Sequence, residues 1–193
     1  VYDIPDVKEN SKIFTILAIG IFTIATAQFK LTPDNFKNAE MQEKDFIVFE
    51  YPGLTQKQIF DKAKMYIHSN FKNLKGDGFN EVEPSQIKLR LRQRFEANKV
   101  FGMVNTWVLN SVYEFNFKDG KIMIRPVYEY IELPSSSGTE KSMYLTGGSG
   151  ILGKSVFKKD GSVWVDKEIF NRIENTVNDF TNGLNKSITK NED

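Results

Sequence analysis

The chain has 193 residues, of which 40% are hydrophobic and 26% charged, and its formal net charge is +1. This composition is typical of a globular domain and excludes a disordered or fibrous protein. The absence of cysteine excludes thiol nucleophiles and cysteine-ligated metal sites, and the single histidine, His68, excludes multi-histidine sites. These counts close off most common chemistries and leave at most one Ser/His/Asp triad, but no Ser, Asp or Glu stands at a recognised catalytic spacing from His68. We therefore predict no metal, no cofactor and no enzymatic activity.

An uncharged apolar run covers residues 13–27 and ends in Ala25-Thr26-Ala27, the small-x-small pattern that signal peptidase recognises. The run is shorter than the ~18 to 20 residues that span a bilayer. It therefore predicts a signal peptide at residues 1–27 and no transmembrane anchor. We expect an exported protein, in the periplasm, on the outer surface or outside the cell, that is cleaved before Gln28.

Residues 28–45 are polar and aperiodic, which predicts a lead-in before a single domain at residues 46–193. Within that domain, residues 46–51 form a short apolar run that Pro52-Gly53 stops, as expected for a buried strand.

Two segments have the apolar spacing of amphipathic helices. The first covers residues 56–71, where Thr55 and Gln58 have the spacing of a capping box. The second covers residues 167–188 and has Asp166 as a candidate N-cap.

Antiparallel strands are predicted between the two helices. Residues 106–131 form two alternating runs around Asp119-Gly120, the residues that a two-residue hairpin turn prefers. In this register Tyr113 and Pro126 form a non-hydrogen-bonded pair, so the missing amide proton of Pro126 would point away from the hairpin partner. The strand around Pro126 is therefore an edge or carries a bulge. The expected pairs are Lys118 with Lys121, Phe117 with Ile122, Phe115 with Ile124, Glu114 with Arg125, Tyr113 with Pro126, Val112 with Val127, and Leu109 with Tyr130.

A Ser- and Gly-rich loop is predicted at residues 134–150, with a short strand near residues 143–145. Residues 148–155, GSGILGKS, match the phosphate-binding loop pattern. That loop requires a helix at its Lys-Ser, but here a β-like run follows that ends at the turn Asp160-Gly161. We therefore expect no ATP binding and a second small hairpin around this turn.

One strand before the central hairpin has a basic face, because its apolar residues alternate with Lys88, Arg90, Arg92 and Arg94. This row is a possible anion-binding face for phosphate backbones, lipopolysaccharide or acidic glycans. The interpretation we favour is a solvated outer face, neutralised by carboxylates such as Glu114, because no aromatic residue interleaves with the row. We expect weak, salt-sensitive polyanion binding and no sequence-specific nucleic-acid binding.

Five aromatic residues are a possible lining for a cleft between the sheet and the C-terminal helix, although core packing explains them equally well. They are Trp107, Tyr113, Tyr128, Tyr130 and Phe170. His68 is interpreted as a boundary residue of the first helix, and Glu81 and Glu83 as solvated loop residues.

The order of strand, helix, antiparallel strands and long helix predicts a two-layer α+β domain. These elements, with the Asp119-Gly120 hairpin and the apolar segment at residues 13–27, resemble an exported Bacteroidota family of unknown function with a TATA-binding-protein-like (TBP-like) fold. The resemblance covers residues 46–131 and, more loosely, the last helix. It implies a curved antiparallel sheet packed against both helices, a TBP-like or helix-grip-like arrangement, without assigned catalytic residues and without implied DNA binding.

The leading functional hypothesis is an exported, non-enzymatic binding or envelope-associated domain. The alternative is a carrier of a small apolar ligand in the cleft between sheet and C-terminal helix, and an exported hydrolase is third. A cavity of several hundred Å³ in that cleft would favour the carrier.

Overall fold

The computed structural model describes residues 28–72, 74, 78–100, 103–133, 141–147 and 155–190. The predicted signal peptide, residues 134–140 of the predicted loop, and residues 148–154 of the phosphate-loop match lie outside these ranges. The elements in chain order are β1 Phe29–Thr32, β2 Asn35–Asn38, β3 Ile47–Glu50, α1 Gln56–Asn70, β4 Phe79–Val82, β5 Gln86–Val100, β6 Met103–Lys118, β7 Lys121–Leu133, β8 Lys141–Met143 and α2 Lys167–Thr189.

Six strands form an antiparallel sheet in the order β3-β7-β6-β5-β4, and β8 pairs with the end of β7. The predicted hairpin register is confirmed from Lys118–Lys121 as far as Val112–Val127. The predicted pair of Leu109 with Tyr130 is wrong, because a register shift leaves one residue of β7 unpaired and places Leu109 opposite Ile131. A bulge of this kind sends every later side chain of the strand to the other face.

Both helices pack on the same face of the sheet, which we call the inner face. The Phe60 ring of α1 meets Phe117 of β6 at 5.1 Å between centroids, and the Phe180 ring of α2 meets Tyr113 of β6 at 4.5 Å. The alternating apolar residues of β5, β6 and β7 fill the space beneath the helices. The predicted two-layer α+β architecture is therefore confirmed.

The helix boundaries follow their predicted signals closely. At the start of α1 the Thr55 amide donates to Gln58 Oε1 at 2.9 Å and the Gln58 amide donates to Thr55 Oγ1 at 3.3 Å, which is the predicted capping box. Asp166 occupies the N-cap position of α2, but its side chain makes no capping hydrogen bond.

The segment predicted as a polar lead-in is instead a β-hairpin that belongs to the core. Phe29, Leu31 and Phe36 are buried, so an apolar alternation is present within two strands of only four residues each. The hairpin is held to α2 by side chains that pair with the backbone of β1. Asn178 accepts from the Phe29 amide at 2.8 Å and donates to the Phe29 carbonyl at 3.1 Å, and Glu174 accepts from the Leu31 amide at 2.9 Å.

A gap in the outer edge of β7 separates its pairing with β3, which ends at Ile124, from its pairing with β8, which begins at Ile131. Pro126 lies in this gap, so the predicted local edge at the proline is confirmed. The Asn35 side chain fills part of the gap, because it accepts from the Tyr128 amide at 2.8 Å and donates to the Tyr128 carbonyl at 3.1 Å. One side-chain amide thus replaces a neighbouring strand.

The segment before α2 has a turn at Asp160-Gly161 with one β-bridge between Phe157 and Val163, so the predicted second hairpin is present in short form. Residues 79–82, which include Glu81, form strand β4 and not the predicted loop. Within the described ranges, neither helix is long and apolar enough to cross a membrane.

Candidate functional site

The outer face of the sheet, opposite the helices, carries the predicted basic row. Lys88, Arg90, Arg92 and Arg94 are exposed along β5, as the period-two alternation predicts. Even-numbered residues of β6 lie beside them, because Lys88 is opposite Glu114 and Arg92 is opposite Asn110. The outer face is therefore the surface on which these side chains meet their neighbours.

Four charges alternate in sign across three strands and the segment before β3. Lys88 Nζ lies 3.7 Å from Glu114, which also binds the Arg125 guanidinium, and Arg125 lies 3.4 Å from Asp45. Hydrogen bonding to Glu114 is the main reason that the pKa of Arg125 is raised above its ordinary value. Glu114 therefore has the neutralising position expected from the sequence.

The remaining basic side chains mostly have carboxylate partners on β7. Arg90 lies 3.0 Å from Glu129, and Arg92 pairs with Glu132, which also accepts from Asn110 Nδ2 at 3.0 Å. Among the described residues no carboxylate pairs with Arg94. The basic row is therefore largely compensated, and an anion that binds it must compete with these carboxylates.

An aromatic pair lies at one end of the same face, where sequence reasoning placed none. Tyr130 of β7 is opposite Asn110, and its ring lies 6.0 Å from the ring of Tyr144, which is 55% exposed. The bulge in β7 turned Tyr130 from the predicted inner position to the outer face. The sequence does not indicate this pair, because a bulge between regular strands needs no particular residue type.

A shallow open groove lies at the other end of the outer face, at the edge formed by β4. Its volume is about 330 Å³. Beside the groove the Gln86 side-chain amide donates from Nε2 to Asn116 Oδ1 at 2.9 Å, so one wall carries two paired side-chain amide groups. Charged and polar outer-face residues line most of the rest: Asn80, Lys88 and Glu114.

The five aromatic residues predicted to line an inner cleft do not converge on one space. Tyr113 packs against Phe180, Trp107 packs edge-on against Phe95 at 6.2 Å, and Phe170 meets Phe157 at 5.7 Å. Tyr128 is buried under β8, and Tyr130 lies on the opposite face of the sheet. At the positions that would form the cleft, the described side chains pack against one another.

The buried tyrosine hydroxyls have protein partners and do not mark a polar pocket. Tyr113 donates to Gln93 Oε1 at 2.9 Å, Tyr128 donates to the Met143 carbonyl at 2.7 Å, and Tyr51 donates to Asn185 Oδ1 at 2.8 Å. Burial raises the pKa of all three phenols above the usual value. They are neutral core residues.

No group of three or more metal-ligating side chains occurs in the described part of the chain. Glu81 forms a salt bridge with Lys64 at 2.6 Å, and Glu83 forms one with Lys57 at 2.7 Å, so both acidic residues are bound to cations of α1. The His68 ring packs beside Phe79 at 4.9 Å, but His68 is exposed on α1 and does not lie at the predicted boundary of its apolar face.

Solved structures share this architecture. A DUF4468 family protein from Bacteroides ovatus aligns with a TM-score of 0.53 over 76% of this chain and 85% of its own, with 13% identical residues. A TBP-like protein from Parabacteroides distasonis aligns with a TM-score of 0.55 over 76% of this chain and 92% of its own, with 9% identical residues. The chain has a TBP-like fold. No protein-family profile and no curated protein sequence matches the chain. Because only 13% and 9% of the residues are identical, the similarity to the two solved structures concerns the fold alone.

Proposed function

We propose that this protein is an exported, non-enzymatic binding domain that uses the outer face of its TBP-like sheet to hold an extended anionic polysaccharide of the cell envelope. Export rests on the apolar segment at residues 13–27 and its Ala25-Thr26-Ala27 ending. The observation that carries the binding role is the location of both helices on the inner face, which leaves the outer face uncovered by either of them.

The outer face offers three kinds of contact that suit an acidic sugar chain. Arg90, Arg92 and Arg94 supply guanidinium groups for carboxylates or sulfates. The rings of Tyr130 and Tyr144 supply apolar surfaces against which sugar rings pack. The paired amides near the groove supply donors and acceptors for hydroxyl groups.

The arrangement favours an extended ligand over a compact one. Asn116, beside the groove, and Asn110, opposite Tyr130, are six residues apart on β6, which corresponds to roughly 20 Å along a strand. On the neighbouring strand β5, Arg90 lies between these two ends, Arg92 lies opposite Asn110, and Arg94 lies beyond Asn110, opposite Val108. A polymer of several sugar units can contact all three groups of residues at once.

Binding is expected to be weak and salt-sensitive. Arg90 and Arg92 already pair with Glu129 and Glu132. The free energy of binding is therefore only the difference between the new ion pair with the ligand and the ion pair that it replaces. Salt near half-molar reduces the Debye length to roughly 4 Å and removes most of that difference.

The alternative function, transport of a small apolar ligand between sheet and α2, has less support. Phe180 of α2 contacts Tyr113, Phe115, Tyr66 and Phe71, so this part of the interface is filled by protein rings. A hydrolase role has no support, because among the described residues no nucleophile is in contact with a general base.

Heparin is a suitable probe, because it is a soluble acidic polysaccharide. We expect measurable retention of the purified protein at low salt, elution well below half-molar salt, and loss of retention in Arg90→Glu/Arg92→Glu. Lys57→Glu/Lys62→Glu, which changes the net charge equally on α1, is the matched control and should retain most of the binding.

Tyr144→Ala separates ring packing from charge. It should weaken binding to heparin but leave binding to inorganic polyphosphate unchanged, because polyphosphate has no sugar ring. Equal loss in the two charge-reversal variants would contradict the proposal, since it would show that only net charge matters. Retention of wild-type binding in Arg90→Glu/Arg92→Glu would contradict it as well.

A further inference from the structure

The side of β5 that faces β4 is only partly paired. β4 pairs with residues 86–89 of β5, whereas β5 continues to Val100. Within the described ranges, no strand pairs with this side of β5 after Leu89. An unpaired strand edge presents backbone donors and acceptors to other chains.

The direction of the backbone groups follows from one hydrogen bond. The Phe117 amide of β6 donates to the Ser85 carbonyl at 2.9 Å, so odd-numbered residues of this antiparallel ladder exchange hydrogen bonds between β5 and β6. Even-numbered residues of β5 therefore direct their amides and carbonyls away from β6. Arg94 and Glu96 present these groups at the open edge.

The side chains of Arg94 and Glu96 are exposed on the outer face and have opposite charges. Neither has an ion-pair partner among the described residues. They differ in this from Lys88, Arg90 and Glu114, which all pair with charges on other strands of the sheet.

We propose that this edge of β5 pairs with the same edge of a second copy of the chain, antiparallel and centred on Phe95. In this register Arg94 lies opposite the partner's Glu96, and Glu96 lies opposite the partner's Arg94. Both pairs have their backbone groups directed at each other, so hydrogen bonds and two symmetric salt bridges form together. The interface is isologous, as expected for a two-fold dimer.

Other registers are less favourable for a simple electrostatic reason. Centring the pairing on Arg94 places two arginines opposite each other, and its only Arg–Glu pairs would use Arg92, which already binds Glu132. Centring it on Glu96 places two glutamates opposite each other. Like charges directly opposite destabilise an antiparallel pair. The β5 sequence around Phe95 therefore selects one register among its near neighbours.

Two features next to this edge of β5 limit the length of the paired segment, which we call the seam. β4 covers the edge as far as Leu89 and Gly78 lies beside the Arg90 carbonyl, while a bulge interrupts the β5 ladder between Glu96 and Asn98. Only a few residues of each copy can pair regularly, so we expect a weak, concentration-dependent dimer. This inference does not depend on the proposed ligand.

Sedimentation velocity of the purified protein over a wide concentration range tests the dimer. Arg94→Glu and Glu96→Arg should each weaken dimerisation roughly tenfold or more, because two attractions become two repulsions. The double variant Arg94→Glu/Glu96→Arg restores opposite charges across the seam and should restore most of the wild-type dimer. Circular dichroism checks that all three variants remain folded.

Cross-linking tests the register, and the absence of native cysteine makes the result unambiguous. A mixture of Arg94→Cys and Glu96→Cys proteins should form a mixed disulfide faster than either variant alone forms its own. A monomer at every concentration, a dimer that neither charge reversal weakens, or a double variant that is not rescued would overturn the proposal. Faster self-disulfide formation by either single-cysteine variant would also overturn it.

Discussion

Replacement of Asn35 tests whether one side-chain amide closes the gap in the edge of β7. Asn35 Oδ1 accepts from the Tyr128 amide and from the Phe36 amide at 2.9 Å, and Nδ2 donates to the Tyr128 carbonyl. Asn35 also has a φ of 100°, a conformation that glycine and asparagine tolerate better than other residues. Glycine and alanine at this position therefore separate the hydrogen bonds from the backbone conformation.

The expected loss of stability follows from these contacts. Tyr128 is 4% exposed, and a buried backbone group without a partner costs about 1–3 kcal/mol. Water reaches part of the half-buried turn, so we expect Asn35→Gly to lower the free energy of unfolding by roughly 2–3 kcal/mol in total. Asn35→Ala should lower it by about 1–2 kcal/mol more, because its Cβ strains a backbone with positive φ.

Urea denaturation monitored by circular dichroism measures both effects. With a slope of about 2 kcal/mol per molar urea, Asn35→Gly should move the midpoint down by roughly 1 M or slightly more. An unchanged midpoint in Asn35→Gly would refute the role of the amide. A midpoint for Asn35→Ala above that of Asn35→Gly would refute the argument about φ.

Two further predictions concern the core. Gly183→Ala should destabilise the protein by about 1–3 kcal/mol, because the new Cβ would lie 2.3 Å from Tyr66 Oη. In a Tyr66→Phe background the same change should be nearly neutral in thermal unfolding, and equal destabilisation in both backgrounds would show that this contact is not the cause. Burial raises the pKa of Tyr51, Tyr113 and Tyr128, so their protons are released more easily from the unfolded chain above pH of about 10. Stability should therefore be unaffected by these groups below pH of about 10 and fall above it by up to roughly 4 kcal/mol per pH unit, which urea denaturation at a series of pH values measures. A urea midpoint that stays constant above pH of about 10 would contradict this prediction.

Local signals predicted those parts of the fold that local chemistry determines. Asp119-Gly120 determined the β6–β7 turn and its register as far as Val112, and Thr55 with Gln58 determined the start of α1. The first hairpin was missed because its strands have four residues each and its alternation rests on Phe29, Leu31 and Phe36. The turn residues at positions 33–34 between two short alternating segments were the available signal.

The candidate site shows the same limit. Alternation alone located the basic row on the outer face and Glu114 beside Lys88. It could not locate Tyr130, because the bulge that turns this residue outward depends on how β7 meets its neighbours and not on the residues next to it. The partners of Arg90 and Arg92 on β7 were missed for the same reason.

The attachment of β1 to α2 has a consequence for the kinetics of folding. The contacts of Asn178 with Phe29 join residues 149 positions apart, so the first strand cannot reach its final place until the last helix has been synthesised. Contacts between such distant residues carry a large loop-closure cost and slow the formation of the native state. The α1 hydrogen bonds and the β6–β7 turn are local and can form early, whereas closure of the molecule waits for its two ends.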